Sequence, residues 1–167
     1  MTIQSSPQGT ENFLSFSITP NVNAMLPARQ LVEIISIASH DIVPIPQMST
    51  AIVGVVPWQG EVLWTVDLSY WMGFEPLFNS SLSNTTYSIL KVKTQGKFLG
   101  LLTYQVSKFI CCETQKNQGI TAADLNNLPE SILQHPARKD CIKGVWTNSQ
   151  GERLLILDTT SFQLLDN

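Results

Sequence analysis

Few side chains in this sequence could do covalent or metal chemistry: Cys111, Cys112, Cys141, His40 and His135. A thiol nucleophile needs a base within hydrogen-bond reach and a third group to orient that base. None of the three cysteines sits in a recognised nucleophile context. A zinc site needs four ligands, and these five residues form neither a C-x-x-C nor an H-x-x-x-H pair. Neighbouring Cys111 and Cys112 diverge along a strand, so they read as small apolar strand residues rather than a relaxed disulfide. His40-Asp41 at a strand–loop boundary and His135-Pro136 in a proline-flanked loop read as solvated. Gly54 and Gly60 have no Lys-Ser or Lys-Thr after them, so they are not a phosphate loop. No carboxylate cluster suggests a magnesium site or a glycosidase pair. The expectation is no catalysis, no metal and no cofactor. A cysteine-dependent hydrolase is the enzyme alternative, decided by whether a Cys–His pair converges in an open cleft.

Composition narrows the remaining classes. The chain has 167 residues, enough to bury a core without disulfides. Charged residues make up 14%, well below the usual quarter, and Ser, Thr, Asn and Gln take their place. That predicts a neutral, polar surface with room for protein contacts. The formal net charge is −3 and there is no run of Lys or Arg, which argues against a reader of nucleic-acid phosphates. No stretch has the length of an apolar membrane span. The first residues have neither the basic region nor the apolar run of a signal peptide. With an odd cysteine count, this points to a reducing, cytoplasmic setting.

The elements are short strands and turns. Residues 1–11 are rich in Ser, Gln, Gly and Thr and read as a flexible tail. Leu14, Phe16 and Ile18 alternate with Ser15 and Ser17 as a half-buried strand. Val62, Trp64 and Val66 alternate in the same way, which places Trp64 in the core. Trp71 is read as core too. Leu90 and Val92 lead through Gln95-Gly96 into Phe98–Leu102, a hairpin pattern. Leu154 to Leu157 reads as a strand buried on both faces. Asp67 is placed to cap a short turn through Ser69, Tyr70 and Trp71 that ends at Gly73. Thr121 with Asp124 forms a second capping pattern, and a last turn is expected over residues 160–165. Prolines interrupt the rest, so the class is all-β, a barrel or sandwich.

Self-similarity is the most informative feature. Ile52-Val53-Gly54-Val55 is echoed by Ile142-Lys143-Gly144-Val145. Gln59-Gly60-Glu61-x-Leu63-x-x-x-Asp67 returns as Gln150-Gly151-Glu152-x-Leu154-x-x-x-Asp158. Fainter echoes link Leu14-x-Phe16 to Leu90-x-Val92, and Val32–Ile35 to Ser107–Ile110. The period is too long for a solenoid and indicates a duplicated small barrel. The approximate halves are 12–76 and 87–166, joined by a polar linker, with strand exchange between them left open. Asp67 and Asp158 recur at one repeat position, which fits strand-end caps better than catalysts.

These residues also resemble the CheW-like adaptors of bacterial chemosensory systems, including PilI-type members of pilus pathways. Phe13–Ile18 resembles the family's first strand, and Leu31-Val32-Glu33-Ile34 its V-x-E-I element. Asp41-Ile42-Val43-Pro44-Ile45-Pro46 resembles its I-x-P-V-P segment. Gly54–Leu68 resembles G-V-x-N-L-R-G-x-V-x-P-V-V-D-L, and Leu154–Asp158 the closing strand. The family's Asn-Leu is Pro57-Trp58 here, its Arg is Gln59, and its Pro is Trp64. The Arg position is associated in the family with coupling receptor to kinase, and Arg to Gln is not conservative.

The resemblance implies a single domain over 12–166 made of two SH3-like five-stranded β-barrels with short helical turns. It implies a non-catalytic scaffold in the cytoplasm, recruited to membrane-associated receptor arrays. The implied partners are the regulatory domain of a CheA-type histidine kinase and the cytoplasmic tip of a methyl-accepting chemoreceptor, in chemotaxis, phototaxis or type IV pilus motility. The receptor's helical hairpin would lie in the apolar groove between barrels. By this analogy Leu31, Glu33 and Ile34 sit at the first-barrel edge, and by the repeat Val106 and Phe109 sit at the equivalent edge. Ordinary core is the alternative for the apolar four. Trp58, Gln59 and Gly60 occupy the coupling loop, Trp58 as an interface anchor or as the cover of a barrel end. A generic β-barrel module with unrelated protein partners is the other reading.

Overall fold

The computed structural model describes residues 9–48, 51–79, 81, 84–113, 128, 130, 134 and 136–162. Within them lie β1 (Thr10–Thr19), β2 (Val22–Pro27), β3 (Leu31–Ala38), β4 (Ile52–Trp58) and β5 (Glu61–Asp67). The second half supplies β6 (Thr86–Thr94), β7 (Lys97–Thr103), β8 (Gln105–Glu113), β9 (Ile142–Thr147) and β10 (Arg153–Leu157). One sheet runs β3-β6-β7-β5-β4 and the other β8-β1-β2-β10-β9. Each is a curled, SH3-like unit, called here the first and second barrel.

The two orders are one topology written twice. The antiparallel β1–β2 and β6–β7 hairpins correspond, as do the β4–β5 and β9–β10 hairpins. In both barrels a parallel pair joins them, β5 with β7 and β10 with β2. The first two strands of each half pair with the last three of the other half. Details repeat as well. A bulge falls at Val53 in β4 and at Lys143 in β9. The Asp67 amide donates to the Ala51 carbonyl at 2.8 Å, and the Asp158 amide to the Cys141 carbonyl at 2.8 Å.

Turn chemistry fixes the hairpins. Gln59 and Gly60 have φ of 51° and 80°, and Gln95 and Gly96 have φ of 50° and 78°. Two left-handed residues in succession give the turn whose twist matches that of the paired strands. Asp67 and Asp158 each cap the short helical turn that follows, accepting from the amides of Tyr70 and Thr160.

The core has three parts. Ile35, Ile37, Val56, Leu63, Ile89 and Leu102 fill the first barrel, and Phe13, Met25, Cys112, Leu154 and Ile156 fill the second. Between the barrels lies a shared core that includes Leu14, Phe16, Ile18, Leu90, Val92, Leu99 and Leu157. β1 therefore differs from the half-buried reading. Phe13 fills a barrel interior while Leu14, Phe16 and Ile18 face the other barrel. β10 is buried on both faces in the same way, as its apolar run indicates.

Three other expectations shift. β1 begins at Thr10, so Thr10 and Glu11 pair with β8 instead of ending a tail, and Glu11 binds Arg29 at 2.9 Å. Trp64 is 39% exposed and Val62 61%, because the outer face of β5 is covered by the other barrel only at its Val66 end. The polar linker is pinned at its start, where Asp67 Oδ2 accepts the amides of Leu77 (2.7 Å) and Phe78 (2.9 Å). Trp71 is core, stacked obliquely on Phe162 with ring centres 4.8 Å apart. A turn forms over Thr159–Ser161. The Thr121–Asp124 capping pair and His135 lie outside the described residues.

Candidate functional site

The candidate residues fall on two edge strands and one hairpin turn. β3 is an edge of the first barrel and β8 an edge of the second. Their registers make them equivalent: Ile34 pairs with Leu90, and Phe109 pairs with Leu14. Leu31 pairs with Val92, and Val106 with Phe16. All four cross-strand neighbours belong to the shared core. Leu31 and Val106 pack partly against that core, whereas Ile34 and Phe109 lie 42% and 58% exposed. Each strand thus carries one apolar residue seated on the shared core and one left open beside it. Between them each strand has an extra residue, a bulge that rotates the chain. In β8 the Ser15 hydroxyl supports that bulge by donating to the Lys108 carbonyl at 2.8 Å.

The bulge separates Glu33 from its neighbours. Its carboxylate turns to the end of the first barrel, where it accepts the Trp58 indole N–H at 2.9 Å. Trp58 is partly buried against the first-barrel core, so it covers the barrel end. Gln59 and Gly60 form the exposed turn next to it, and a side chain at Gly60 would meet open space. Leu31 and Ile34 therefore share a surface with the inter-barrel core, while Glu33, Trp58, Gln59 and Gly60 gather at the barrel end. Sequence reading did not single out Val32, 48% exposed at the β3 bulge. Its signal was the unbroken run Leu31-Val32, which strict alternation would forbid.

Burial pushes the Cys112 thiol up to about 11, helped by neighbouring Cys111. Burial pushes Cys141 up to about 12, with Asp158 adding to it. Both stay protonated at neutral pH, which is the opposite of an activated nucleophile. Cys111 is exposed on β8. His40 is exposed beside Asp41 at 3.7 Å. Among the described residues, no group of three His, Cys, Asp or Glu side chains could hold a metal ion, and no helix is long and apolar enough to cross a membrane. The arrangement offers surfaces for association: one exposed apolar residue on the edge strand of each barrel, and a barrel end where Glu33 accepts from Trp58.

A family model described as CheW-like domain matches residues 12–163. Among solved structures, the crystal structure of the scaffolding protein TtCheW from Thermoanaerobacter tengcongensis is similar in fold, with a TM-score of 0.70. It is 16% identical, and the match covers 90% of each chain. No curated protein matches.

Proposed function

The chain belongs to the CheW-like domain family, and from that premise we propose that it is a non-catalytic adaptor joining a chemoreceptor to a CheA-type histidine kinase. The observation that carries this reading is the equivalence of Ile34 and Phe109 in the two barrels. They are exposed apolar residues at one repeat position, beside the core that both barrels share. One apolar anchor on each barrel, beside the core that both share, suits the apolar face of a helical hairpin, such as a receptor's cytoplasmic tip. Leu31 and Val106 extend each anchor inward. Gln59 and Gly60, with Trp58 behind them, form a separate contact toward the regulatory domain of the kinase. The work done is binding free energy spent on holding partners in register, in the cytoplasm, at membrane-associated receptor arrays. The output is motility of the cell, by taxis or by pili.

The test is a pair of titrations of the full chain, against a receptor-tip fragment and against the kinase regulatory domain from the same genome. Saturable one-to-one binding to both is expected. Ile34→Asp and Phe109→Asp should each weaken tip binding by roughly tenfold and leave kinase binding unchanged. Both residues are exposed, so the melting temperature should fall by only ~3 °C. Gln59→Arg adds a fixed fork of donors and should tighten kinase binding alone. Absence of binding to both partners would sink the adaptor reading and move the search to unrelated proteins.

A further inference from the structure

Val106 and Phe109 are three residues apart in β8, yet both stand opposite residues of one face. Val106 pairs with Phe16 and Phe109 with Leu14, and both partners belong to the core that the barrels share. A regular strand sends residues three apart to opposite faces, because its side chains alternate. The bulge resolves the conflict. Between the two pairs, Ser107 and Lys108 together oppose Ser15, and the extra residue restores the parity. After it, Ile110 and Cys112 face the core of the second barrel. A slip of one residue here would carry Phe109 from the outer face to the inner one.

One buried side chain grips this bulge from the neighbouring strand. Ser15 Oγ donates to the Lys108 carbonyl at 2.8 Å and accepts the Lys108 amide at 3.2 Å. A single hydroxyl thus serves both backbone groups of the second bulge residue, which the ladder would otherwise pair. The first barrel bulges at the equivalent place, between Leu31 and Glu33, but without such a hydroxyl. There Lys91 stands at the repeat position of Ser15, and its ammonium lies 4.6 Å from the centre of the Phe98 ring. The grip on the bulge is therefore a feature of the Phe109 side of the molecule.

We propose that Ser15 is a positioning residue for the receptor tip: its hydroxyl fixes the bulge that sets Phe109 on the same face as Val106, ready for the partner. Ser15 is buried and acts only through Phe109. This inference rests on the adaptor reading and deepens it. Ser15 and Lys108 line a cavity of about 650 Å³. Without the hydroxyl, water in that cavity takes over the Lys108 amide and carbonyl, so the barrel keeps its fold. The bulge then loses its fixed geometry, and binding must order Phe109 as well as bury it.

The experiment compares the full chain with Ser15→Ala, Ser15→Thr and Ser17→Ala. Each is titrated with the receptor-tip fragment and with the kinase regulatory domain, and amide hydrogen exchange is followed at Lys108. Ser15→Ala should weaken tip binding roughly fivefold and leave kinase binding unchanged. Its Lys108 amide should exchange roughly fivefold faster. Ser15→Thr keeps the hydroxyl, and the cavity leaves room for its methyl, so it should restore both values. Ser17 lines the same cavity but donates to Asn23 Oδ1 at 2.9 Å, away from the bulge. Ser17→Ala should therefore change neither value. If Ser15→Ala does not fold, Ser15→Cys, with its weak donor, takes its place and should weaken tip binding in the same direction. Equal tip binding by wild type and Ser15→Ala overturns the positioning role. So does failure of Ser15→Thr to restore binding, or an equal loss in Ser17→Ala, which would mark general loosening of the barrel. These outcomes leave the adaptor reading standing, whereas a wild type that binds no tip overturns both.

Discussion

Asp67 and Asp158 hold one repeat position yet titrate in opposite directions. Asp67 is fully buried, and burial raises its pKa despite the amides of Tyr70, Leu77 and Phe78 that bond to it. Asp158 is half-buried. Burial pushes it up as well, but hydrogen bonds from Thr160 and Gln30, and the charge of Lys143, outweigh that and hold it below the ordinary carboxylate value. Its folded carboxyl is thus more acidic than the unfolded one. The ionised form adds stability above the unfolded pKa, and that share is lost as pH falls through the folded value. Among the described residues, its side-chain bonds come from Gln30 Nε2 and from the Thr160 amide and hydroxyl, and all end on Oδ1. Asp158→Asn keeps that acceptor and removes only the charge. Urea denaturation should find the gap between wild type and Asp158→Asn widest near pH 7 and closing below about pH 4. A gap that persists unchanged into acid would show that the charge contributes nothing. The sequence exposed both aspartates as strand-end caps, because a repeat displays fixed positions. It could not show that Glu33 bonds Trp58, since that contact depends on a bulge that turns one side chain away from its neighbours.

Glycines at the bends show how the elements are held, and two of them divide cleanly. Gly54 has φ of 145°, and a Cβ there would lie 2.2 Å from the Val43 carbonyl oxygen. That carbonyl is fixed, because Val43 and Val55 exchange backbone hydrogen bonds at 2.8 and 2.9 Å. The obstacle is backbone and cannot swing aside. Gly60 has φ of 80°, but nothing lies within 4 Å of its added Cβ. Gly60→Ala should therefore cost about 1 kcal/mol, the conformational penalty alone. Gly54→Ala should cost more than ~3 kcal/mol or prevent folding. Chemical denaturation of both variants checks this, and equal losses would mean the Val43 segment yields. At this scale the sequence was a good guide to hairpins, since Gln-Gly turns and alternation are local. It misplaced Trp64 because alternation identifies a face but not how far the neighbouring barrel covers it.

The molecule as a whole is bound together by strand exchange. Completing the first barrel takes β3, β4 and β5 from one half of the chain and β6 and β7 from the other. The shared core then buries one face of both sheets. Gln30 adds a latch between the barrels. Just before β3, its side chain donates to Asp158 at 2.8 Å and accepts the Thr159 amide at 2.8 Å. The Thr159 hydroxyl reaches on to the Lys93 carbonyl at 3.1 Å. The long period in the sequence reveals the duplication, but pairing between distant strands has no local signature, so it is visible only in three dimensions. Its consequence is cooperativity: neither half holds a complete sheet, and each alone would leave strand edges and the shared core in water. Cleaving the chain within the 80–84 segment should give two fragments that are each unfolded by near-ultraviolet circular dichroism. Mixed in equal amounts, they should recover the native spectrum and a single unfolding transition. A fragment that melts cooperatively by itself would show that one barrel is self-sufficient, and that the exchanged strands are replaceable by pairing within a half.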